Sequence, residues 1–321
     1  MITSLSLFSG CLGFDLGLEK AGIKAIAYVD KDVNCRSTIA ANRPNIPIFE
    51  DVFDKKLYKL KADVVVGGPP CQSFSTIGKR LSLEDERGKA IFGFIEVVKH
   101  INPKMFVLEN VTGILSAKND VLNRLIESFS NLGYTVNSGV INAIDFGVPQ
   151  TRKRFLMIGA KNKKVELPKP STKNITYLKE AIKDLENDPG EYLEFSNAIS
   201  ALIKKVPEGQ NWKSLNKEDQ SKALGKANRS SGGLTGFCRR LDYSKPSPTL
   251  LTSPTQKATL LCHPTKNRPL SVREYKRIQG FPDNWIISGS IAEQYKQIGN
   301  AVPIPMAKAI GGVIKLSLKK V

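Results

Sequence analysis

The sequence has little cysteine and almost no histidine. Five cysteines are spread over 321 residues, and no two of them are spaced as Cys-x-x-Cys. An odd number without paired spacing argues against a disulfide framework and against a zinc site, and we expect no bound metal. Only His100 and His263 are available as histidine bases. A Ser–His or Cys–His catalytic pair would therefore depend on one of these two side chains.

Long apolar runs are also missing. No run approaches the ~18 residues that a membrane span needs. The N-terminal segment MITSLSLFSG has neither a basic beginning nor a cleavage-like site. We expect a soluble, intracellular monomer with no membrane partner.

Acidic residues are too few to balance the basic ones. Lys and Arg number 48 against 30 Asp and Glu, a net charge of +18. Such a surplus favours a nucleic-acid partner over a basic surface kept only for solubility. Residues 231–280 hold nine basic and two acidic side chains, whereas residues 166–230 are nearly balanced. The surplus is thus concentrated in the second half of the chain.

Short apolar runs alternate with helical patterns in the first half. This alternation predicts an α/β fold with a parallel sheet covered on both faces. The predicted strands are residues 4–8, 25–29, 63–66, 105–108 and 154–158. The predicted helices include residues 32–42, 91–100, 121–132 and 304–318.

The alternation stops near residues 167–170, where proline and lysine alternate. The next hundred residues are polar and irregular, with Pro-Gly and Gly-Gly steps, until a helical pattern returns near the C-terminus. We predict a larger domain formed by residues 1–180 and 290–321. Residues 181–289 would form a smaller, irregular domain.

A glycine-bearing turn follows the first predicted strand. Gly10 and Gly13 lie in this turn, and Asp30 ends the second strand about 20 residues later. Glycine lets a ligand approach the backbone, and a carboxylate at that position suits the hydroxyls of a ribose. Neither a P-loop nor a G-x-G-x-x-G motif is present. A nucleoside without a pyrophosphate, such as S-adenosylmethionine, fits better than NAD or ATP.

Cys71 follows a buried strand and the rigid sequence Gly-Gly-Pro-Pro. Open α/β sheets bind ligands at the carboxyl ends of their strands. A thiolate there, near basic residues, could be a nucleophile. A lone cysteine is more often a small buried apolar side chain, so the motif by itself leaves both interpretations open.

Two further polar groups are predicted at the same sheet edge. Glu109 directly follows an apolar run, where partial burial could fit its carboxyl group to carry a proton. It could equally be a helix cap or an ion-paired carboxylate. Arg152 and Arg154 alternate at the start of a strand, which would point both guanidinium groups to one face. Such a pair suits a nucleobase carbonyl or a phosphate.

These motifs, in this order and spacing, resemble the DNA (cytosine-5) methyltransferase family of bacterial restriction–modification systems. The resemblance covers residues 3–160 and 268–312. Its blocks are GGPPCQSFS (67–75), FVLENV (106–111), QTRKR (150–154), RPLSVRE (268–274), IQGFPD (278–283) and QIGNAV (297–302). It implies a Rossmann-like sheet that binds S-adenosylmethionine, with a smaller target-recognition domain in the unshared middle.

The resemblance also implies a role for each motif residue. Cys71 would attack C6 of a flipped cytosine, Glu109 would act at N3, and Arg154 with Arg152 would hold O2. Ser75 would contact the DNA backbone. The S-adenosylmethionine site would be formed by Phe8, Gly10, Leu12, Gly13, Asp30, Asp51, Pro70, Asn300 and Val302.

Leu12 departs from the family pattern, in which many members carry a second glycine at this position. We expect the leucine to tighten the turn without abolishing cofactor binding, since the contacts there are largely made by the backbone.

Two alternatives remain beside an active DNA methyltransferase. The tRNA-acting branch of the family carries a Cys-Phe-Thr stretch in its middle region, and this sequence has none. An inactive DNA-binding relative would be expected to have lost Cys71, Glu109 or Arg154, and all three are present.

The compact length is typical of a bacterial or phage modification enzyme acting in the cytoplasm on double-stranded DNA. A cognate restriction endonuclease is an expected functional partner, without a stable complex. Arg239 and Arg240, in the basic stretch 231–280, are our candidates for reading bases in the major groove. Contact with phosphates alone is the alternative.

Overall fold

The computed structural model describes residues 1–70, 86–116, 120–172, 174–225 and 234–319, and side chains are described within these ranges except at 86–88. The strands are β1 Ile2–Leu7, β2 Ile23–Val29, β3 Ile48–Phe49, β4 Val64–Gly67, β5 Met105–Asn110, β6 Tyr134–Asn142 and β7 Lys153–Lys161. The helices are α1 Gly13–Lys20, α2 Val33–Asn42, α3 Glu86–Ile101, α4 Val121–Asn131, α5 Leu178–Ile182, α6 Asn197–Ile203, α7 Lys217–Leu224, α8 Val272–Gln279, α9 Ile291–Asn300 and α10 Ile304–Lys319. Short 3-10 turns connect several of them.

The strands form one seven-stranded sheet in the order β3-β2-β1-β4-β5-β7-β6. The first five in this order run parallel, and β7 is antiparallel to both of its neighbours. The α/β fold class is confirmed, but the expectation of a wholly parallel sheet was wrong for β7. The reason is the short connection from β6 to β7, because strands joined without a crossover helix pair antiparallel.

Two compact units divide the chain. The first comprises Met1–Phe146, Lys153–Lys173 and Ala301–Val321, and the second comprises Gly147–Arg152 and Asn174–Asn300. Our predicted boundaries at residues 180 and 290 placed α9 in the first unit. The structure places it in the second, because the ring of Tyr295 packs on that of Tyr275 in α8, with centroids 4.8 Å apart.

The core of the first unit brings the end of β4 to the sheet edge. Val64, Val65 and Val66 are fully buried in the sheet. A Cβ on Gly67 would lie 2.6 Å from the backbone oxygen of Leu7, so only glycine allows β1 and β4 to approach this closely. The strand therefore delivers the Gly-Pro-Pro segment to the carboxyl edge of the sheet.

The second unit has few regular elements and is held together by buried polar groups. Glu274 in α8 accepts two hydrogen bonds from the guanidinium of Arg268, at 2.8 and 2.7 Å. Burial, and next the charge of Arg268, lower the pKa of the nearby His263 to about 3. Its Nδ1 accepts from the backbone N–H groups of Thr265 and Lys266, so the neutral ring carries its proton on Nε2.

By length and composition alone, one stretch of the described chain, Ile291–Lys319, could cross a membrane. Half of the most apolar 18 residues in this stretch is buried inside the protein. The stretch is also divided into α9 and α10. Core helices commonly pass the same test, so this finding is weak support for a membrane segment.

Candidate active site

The turn between β1 and α1 has an unusual backbone. Phe8, Gly10 and Leu12 all have positive φ angles, of 55°, 56° and 68°. Two N–H groups of this turn already have partners within the protein: that of Gly10 donates to Asp30 Oδ2, and that of Leu12 donates to the Ser9 oxygen. A Cβ placed on Gly10 would meet no atom of the described residues within 4 Å, so these residues leave the space beside Gly10 open. The turn thus leaves room for a ligand against the backbone, as the sequence predicts for S-adenosylmethionine.

Asp30 is fixed beside this turn by two backbone donors. Its Oδ2 accepts from the N–H of Gly10 at 2.7 Å, and its Oδ1 accepts from the N–H of Asp32 at 2.9 Å. Burial raises the pKa of the Asp30 carboxyl, and the two backbone N–H groups partly oppose this. Each oxygen keeps further acceptor capacity, which suits the two hydroxyls of a ribose.

Leu12 occupies a position that glycine would adopt more easily. It precedes α1 in the left-handed conformation, and its side chain is buried. A left-handed leucine costs about 1–2 kcal/mol of backbone strain. Burial of the side chain offsets this strain, and the backbone keeps its helix contact through the N–H of Leu16, which donates to the Leu12 oxygen at 2.9 Å. Gly13, the next residue, begins α1 and is buried.

The other predicted cofactor residues occupy separate places. Asp51 is exposed, and its carboxylate accepts from the N–H of Phe53 at 3.0 Å. Pro70 is exposed at the described end of the segment after β4. Asn300 is the exposed last residue of α9 in the second unit, and Val302 is buried in the first. Their roles stay predictions.

A buried carboxyl group that the sequence analysis missed lies in α1. Asp15 accepts a hydrogen bond on Oδ2 from the Ser6 hydroxyl at 3.0 Å, whereas its buried Oδ1 has no partner among the described residues. Burial raises the pKa of Asp15 from its ordinary 3.8 to about 7. The first helix of the cofactor turn therefore holds a group that titrates near neutral pH.

This group makes stability depend on pH. The pKa of Asp15 is higher in the folded state than in the unfolded state. The free energy of unfolding is therefore greatest below about pH 4, falls as the pH rises to about 7, and is constant above that. Asp15→Asn keeps an oxygen for Ser6 and removes the charge. We expect the variant to gain stability relative to the parent between pH 4 and 7, by up to about 4 kcal/mol. Urea unfolding at pH 4.5, 6 and 8 measures this, and an equal difference at every pH would contradict it.

Glu109 and Arg154 form a buried ion pair. Glu109 lies near the end of β5, and Arg154 lies near the start of the adjacent, antiparallel β7. Arg154 Nε is 3.1 Å from Glu109 Oε1, and the two side chains are 13 % and 9 % exposed. A fixed carboxyl group beside a guanidinium presents a hydrogen-bonding edge to a planar amidine-like ring such as cytosine.

Gly68 and Asn110 link this ion pair to the segment that follows β4. A Cβ on Gly68 would lie 3.0 Å from Glu109 Oε2, a tight contact, so glycine leaves the carboxylate room beside this backbone. The amide of Asn110 donates to the oxygen of Pro69 at 2.7 Å. Sequence reasoning missed Asn110, although an amide directly after an apolar strand and a glutamate was a usable signal. Glu109 and the Pro-Pro segment are thereby brought together.

Cys71 and Ser75 lie outside the described residues. The structure describes the chain up to Pro70, the residue before the cysteine. Their roles rest on the sequence motif.

Arg152 has a different place from the one we expected. It precedes β7 instead of alternating with Arg154 within it, and it is 1 % exposed. Its guanidinium donates to the backbone oxygens of Leu250 at 3.0 Å and Gly299 at 2.9 Å. The expectation that Arg152 presents its guanidinium together with Arg154 was therefore wrong, because these carbonyls hold it inside the second unit.

Arg240 is also buried, contrary to our expectation that it reads DNA bases. It is 5 % exposed. Its guanidinium donates to the oxygens of Ile203, Val206, His263, Pro264 and Lys266 and to Asn267 Oδ1. A side chain with its donors occupied in this way holds loops together and is not free for a groove. Arg239 is only half-buried, with one long bond of 3.3 Å to the Leu260 oxygen, and stays a candidate.

Comparison with known proteins agrees with this geometry. The family model "C-5 cytosine-specific DNA methylase" matches residues 2–316. Type II methyltransferase M.Eco47II of Escherichia coli is 39 % identical, with 99 % of this chain and 80 % of that protein covered. Type II methyltransferase M.Sau96I of Staphylococcus aureus is 36 % identical, with 95 % and 73 % covered. The chain belongs to the C-5 cytosine-specific DNA methylase family.

Solved structures show the same fold. A prophage-encoded DNA modification methyltransferase of E. coli superposes with a TM-score of 0.73 at 23 % identity, covering 99 % of this chain and all of that one. The DNMT2 protein of Spodoptera frugiperda gives 0.71 at 17 % identity, with 99 % and 100 % covered. These structures confirm the predicted fold class. The family model and the type II methyltransferases confirm the predicted family and enzyme class, a DNA (cytosine-5)-methyltransferase.

Proposed function

We propose that this chain transfers a methyl group from S-adenosylmethionine to C5 of a flipped cytosine in a short, specific, double-stranded DNA site. The observation that carries the proposal is the buried Glu109–Arg154 pair at the sheet edge to which β4 leads. Family membership makes a cytosine the natural occupant of that edge.

The residue types fit the chemistry that cytosine demands. C5 is a poor nucleophile until a thiolate adds to C6 and N3 gains a proton, which makes C5 enamine-like. Cys71 supplies a soft nucleophile that can also leave. S-adenosylmethionine would supply the methyl group and leave as S-adenosylhomocysteine. Return of the N3 proton to Glu109, loss of the C5 proton to a base such as water, and elimination of the Cys71 thiolate would then restore the aromatic ring. The base must leave the stack first, because C6 is inaccessible within a duplex.

Glu109 and Arg154 would contact different atoms of the cytosine ring. The Glu109 carboxyl group would hydrogen-bond to N3 and transfer a proton to it while the thiolate adds to C6. The Arg154 guanidinium, already paired with Glu109, would donate to O2 and stabilise the negative charge that develops there. Arg152, buried on backbone oxygens, would support the site without touching the ring.

The cofactor residues would act mainly through the backbone. The open space beside Gly10 admits the methionine part, Asp30 would bind the ribose, and Asp51 would bind the adenine. Phe8, Leu12 and Gly13 would shape the turn. Pro70, Asn300 and Val302 would complete the site.

Reading of the DNA sequence would be the task of the second unit, with a contact to the DNA backbone from Ser75 in the first. Arg239 would read a base or hold a phosphate. A protein of this kind would act in the bacterial or phage-infected cytoplasm as a monomer, and would protect DNA from a cognate restriction endonuclease.

The test is methyl transfer from labelled S-adenosylmethionine to double-stranded DNA, with bisulfite sequencing of the product and Cys71→Ser as the inactive control. Label on C5 of cytosine that is lost in Cys71→Ser supports the proposal. Label on tRNA but not on DNA would place the chain in the tRNA-acting branch. Label on neither, with DNA still bound, would identify an inactive binder and refute the catalytic roles.

A further inference from the structure

The chain enters the second unit for only six residues between β6 and β7. Phe146 belongs to the first unit, Gly147–Arg152 to the second, and Lys153 again to the first. This crossing segment, residues 147–152, ends two residues before Arg154. Whatever fixes the segment therefore constrains the start of β7 through the covalent chain.

One side of the crossing segment is bonded to the chain around Ser247. The N–H of Thr151 donates to the Ser247 oxygen at 2.8 Å, and the N–H of Ser247 donates to the Pro149 oxygen at 2.8 Å. The hydroxyl of Thr249 donates to the Thr151 oxygen at 2.9 Å. The segment thus forms a short parallel pairing within the second unit.

The other side is held by three fully buried side chains, Gln150 bonded to Gln279, and Arg152 bonded to backbone oxygens. Gln150 accepts from the Leu250 N–H and donates to Gln279 Oε1, both at 2.9 Å. Gln279 Nε2 in turn donates to the Ile298 oxygen at 2.8 Å.

At its two ends, this series of hydrogen bonds lies close in sequence to Asn300 and Arg154, both of which have proposed roles in the reaction. Gln279 and Arg152 hold the oxygens of Ile298 and Gly299, the last turn of α9 before Asn300. A Cβ on Gly299 would lie 2.3 Å from the Leu251 oxygen, so this turn is also packed tightly on the Leu250 segment. Asn300 is the proposed contact for the methionine part of the cofactor, and Arg154 is the proposed contact for cytosine O2.

We propose that Gln150 and Gln279 are positioning residues that couple the cofactor side of the reaction to the cytosine side. Their hydrogen bonds fix the Ile298–Gly299 turn, and hence Asn300, to the segment that leads into Arg154. The inference rests on the proposed function for the roles of Asn300 and Arg154. Neither glutamine need touch the cofactor or the base.

The test compares Gln279→Met and Gln150→Met with the parent. Methionine has a similar length and is apolar, so it removes the hydrogen bonds with little change of shape. We expect Gln279→Met to weaken binding of S-adenosylhomocysteine by about tenfold in calorimetric titration, because a turn held by a buried bond is released. KM for S-adenosylmethionine should rise in parallel. Gln150→Met should lower kcat by about tenfold, because the segment before Arg154 loses two bonds.

A double variant distinguishes coupling from two separate effects. If the glutamines act as one chain, Gln150→Met alone should also weaken binding of S-adenosylhomocysteine, and adding it to Gln279→Met should weaken binding no further; two separate effects would multiply. Gln220→Met is the matched control, since Gln220 also donates to two backbone oxygens of the second unit, those of Lys213 and Leu215. It should leave the dissociation constant within about twofold of the parent.

If Gln279→Met does not fold, Gln150→Met carries the binding test, because it removes the same Gln150–Gln279 hydrogen bond from the other side. Wild-type binding and kcat in a folded variant would overturn the inference, as would an equal loss of binding in Gln220→Met. The titration needs no DNA. A parent chain that binds the product but methylates nothing would therefore refute the proposed function and leave the cofactor half of the inference standing.

Discussion

Glu109→Gln is expected to lower kcat for DNA methylation by about two to four orders of magnitude, the usual contribution of a general acid. The amide has the same shape and can still lie beside the Arg154 guanidinium, whose Nε is 3.1 Å from Glu109 Oε1. It can also hydrogen-bond to N3 but cannot deliver a proton as the thiolate adds. Binding of DNA and cofactor should therefore change little, and the loss should appear in kcat.

Single-turnover methylation at saturating cofactor measures this loss. Glu127→Gln on α4 is the matched control, because Glu127 is exposed on the same unit and should leave kcat unchanged. S-adenosylhomocysteine titration checks that the cofactor turn is intact in both variants. A kcat within about threefold of the parent in Glu109→Gln would mean that the carboxyl group transfers no proton in the rate-limiting step.

The strands that the sequence predicts well are those whose side chains are mostly buried. β1, β2, β4, β5 and β7 are apolar runs buried in the sheet, and all five were predicted within a few residues. β6 was missed because its central residues are polar and only partly buried, so its sequence shows no continuous apolar run. β3 has only two residues and leaves no pattern.

The candidate site likewise contains residues whose place the sequence could predict and residues whose place it could not. Glu109 and Arg154 could be predicted because a charged residue at the end of a buried strand needs a charged partner or a ligand, and the structure pairs them. Arg152 and Arg240 could not be assigned correctly, since a buried arginine and a DNA-binding arginine look alike in sequence. Only the surrounding backbone oxygens, contributed by residues distant in the chain, distinguish the two.

Arg240→Ala is expected to lower the stability of the second unit by at least about 3 kcal/mol, because several buried carbonyl groups lose a charged donor together. The shortest of these bonds to backbone, both 2.7 Å, go to the oxygens of Ile203 and Val206. Arg240→Lys keeps the charge but cannot reach all partners with one ammonium group, so it should recover only part of the loss. Urea unfolding followed by tryptophan fluorescence is a suitable measurement, since Trp212 belongs to this unit.

Arg239→Ala is the control that separates a structural arginine from a DNA-binding one. Arg239 has one long backbone bond of 3.3 Å, so its loss should change stability by less than about 1 kcal/mol. Its DNA affinity should fall, unevenly across site variants if Arg239 reads a base and uniformly if it holds a phosphate. A fully stable Arg240→Ala with weakened DNA binding would reverse the assignment, because it would show that the guanidinium leaves its carbonyl partners to bind DNA.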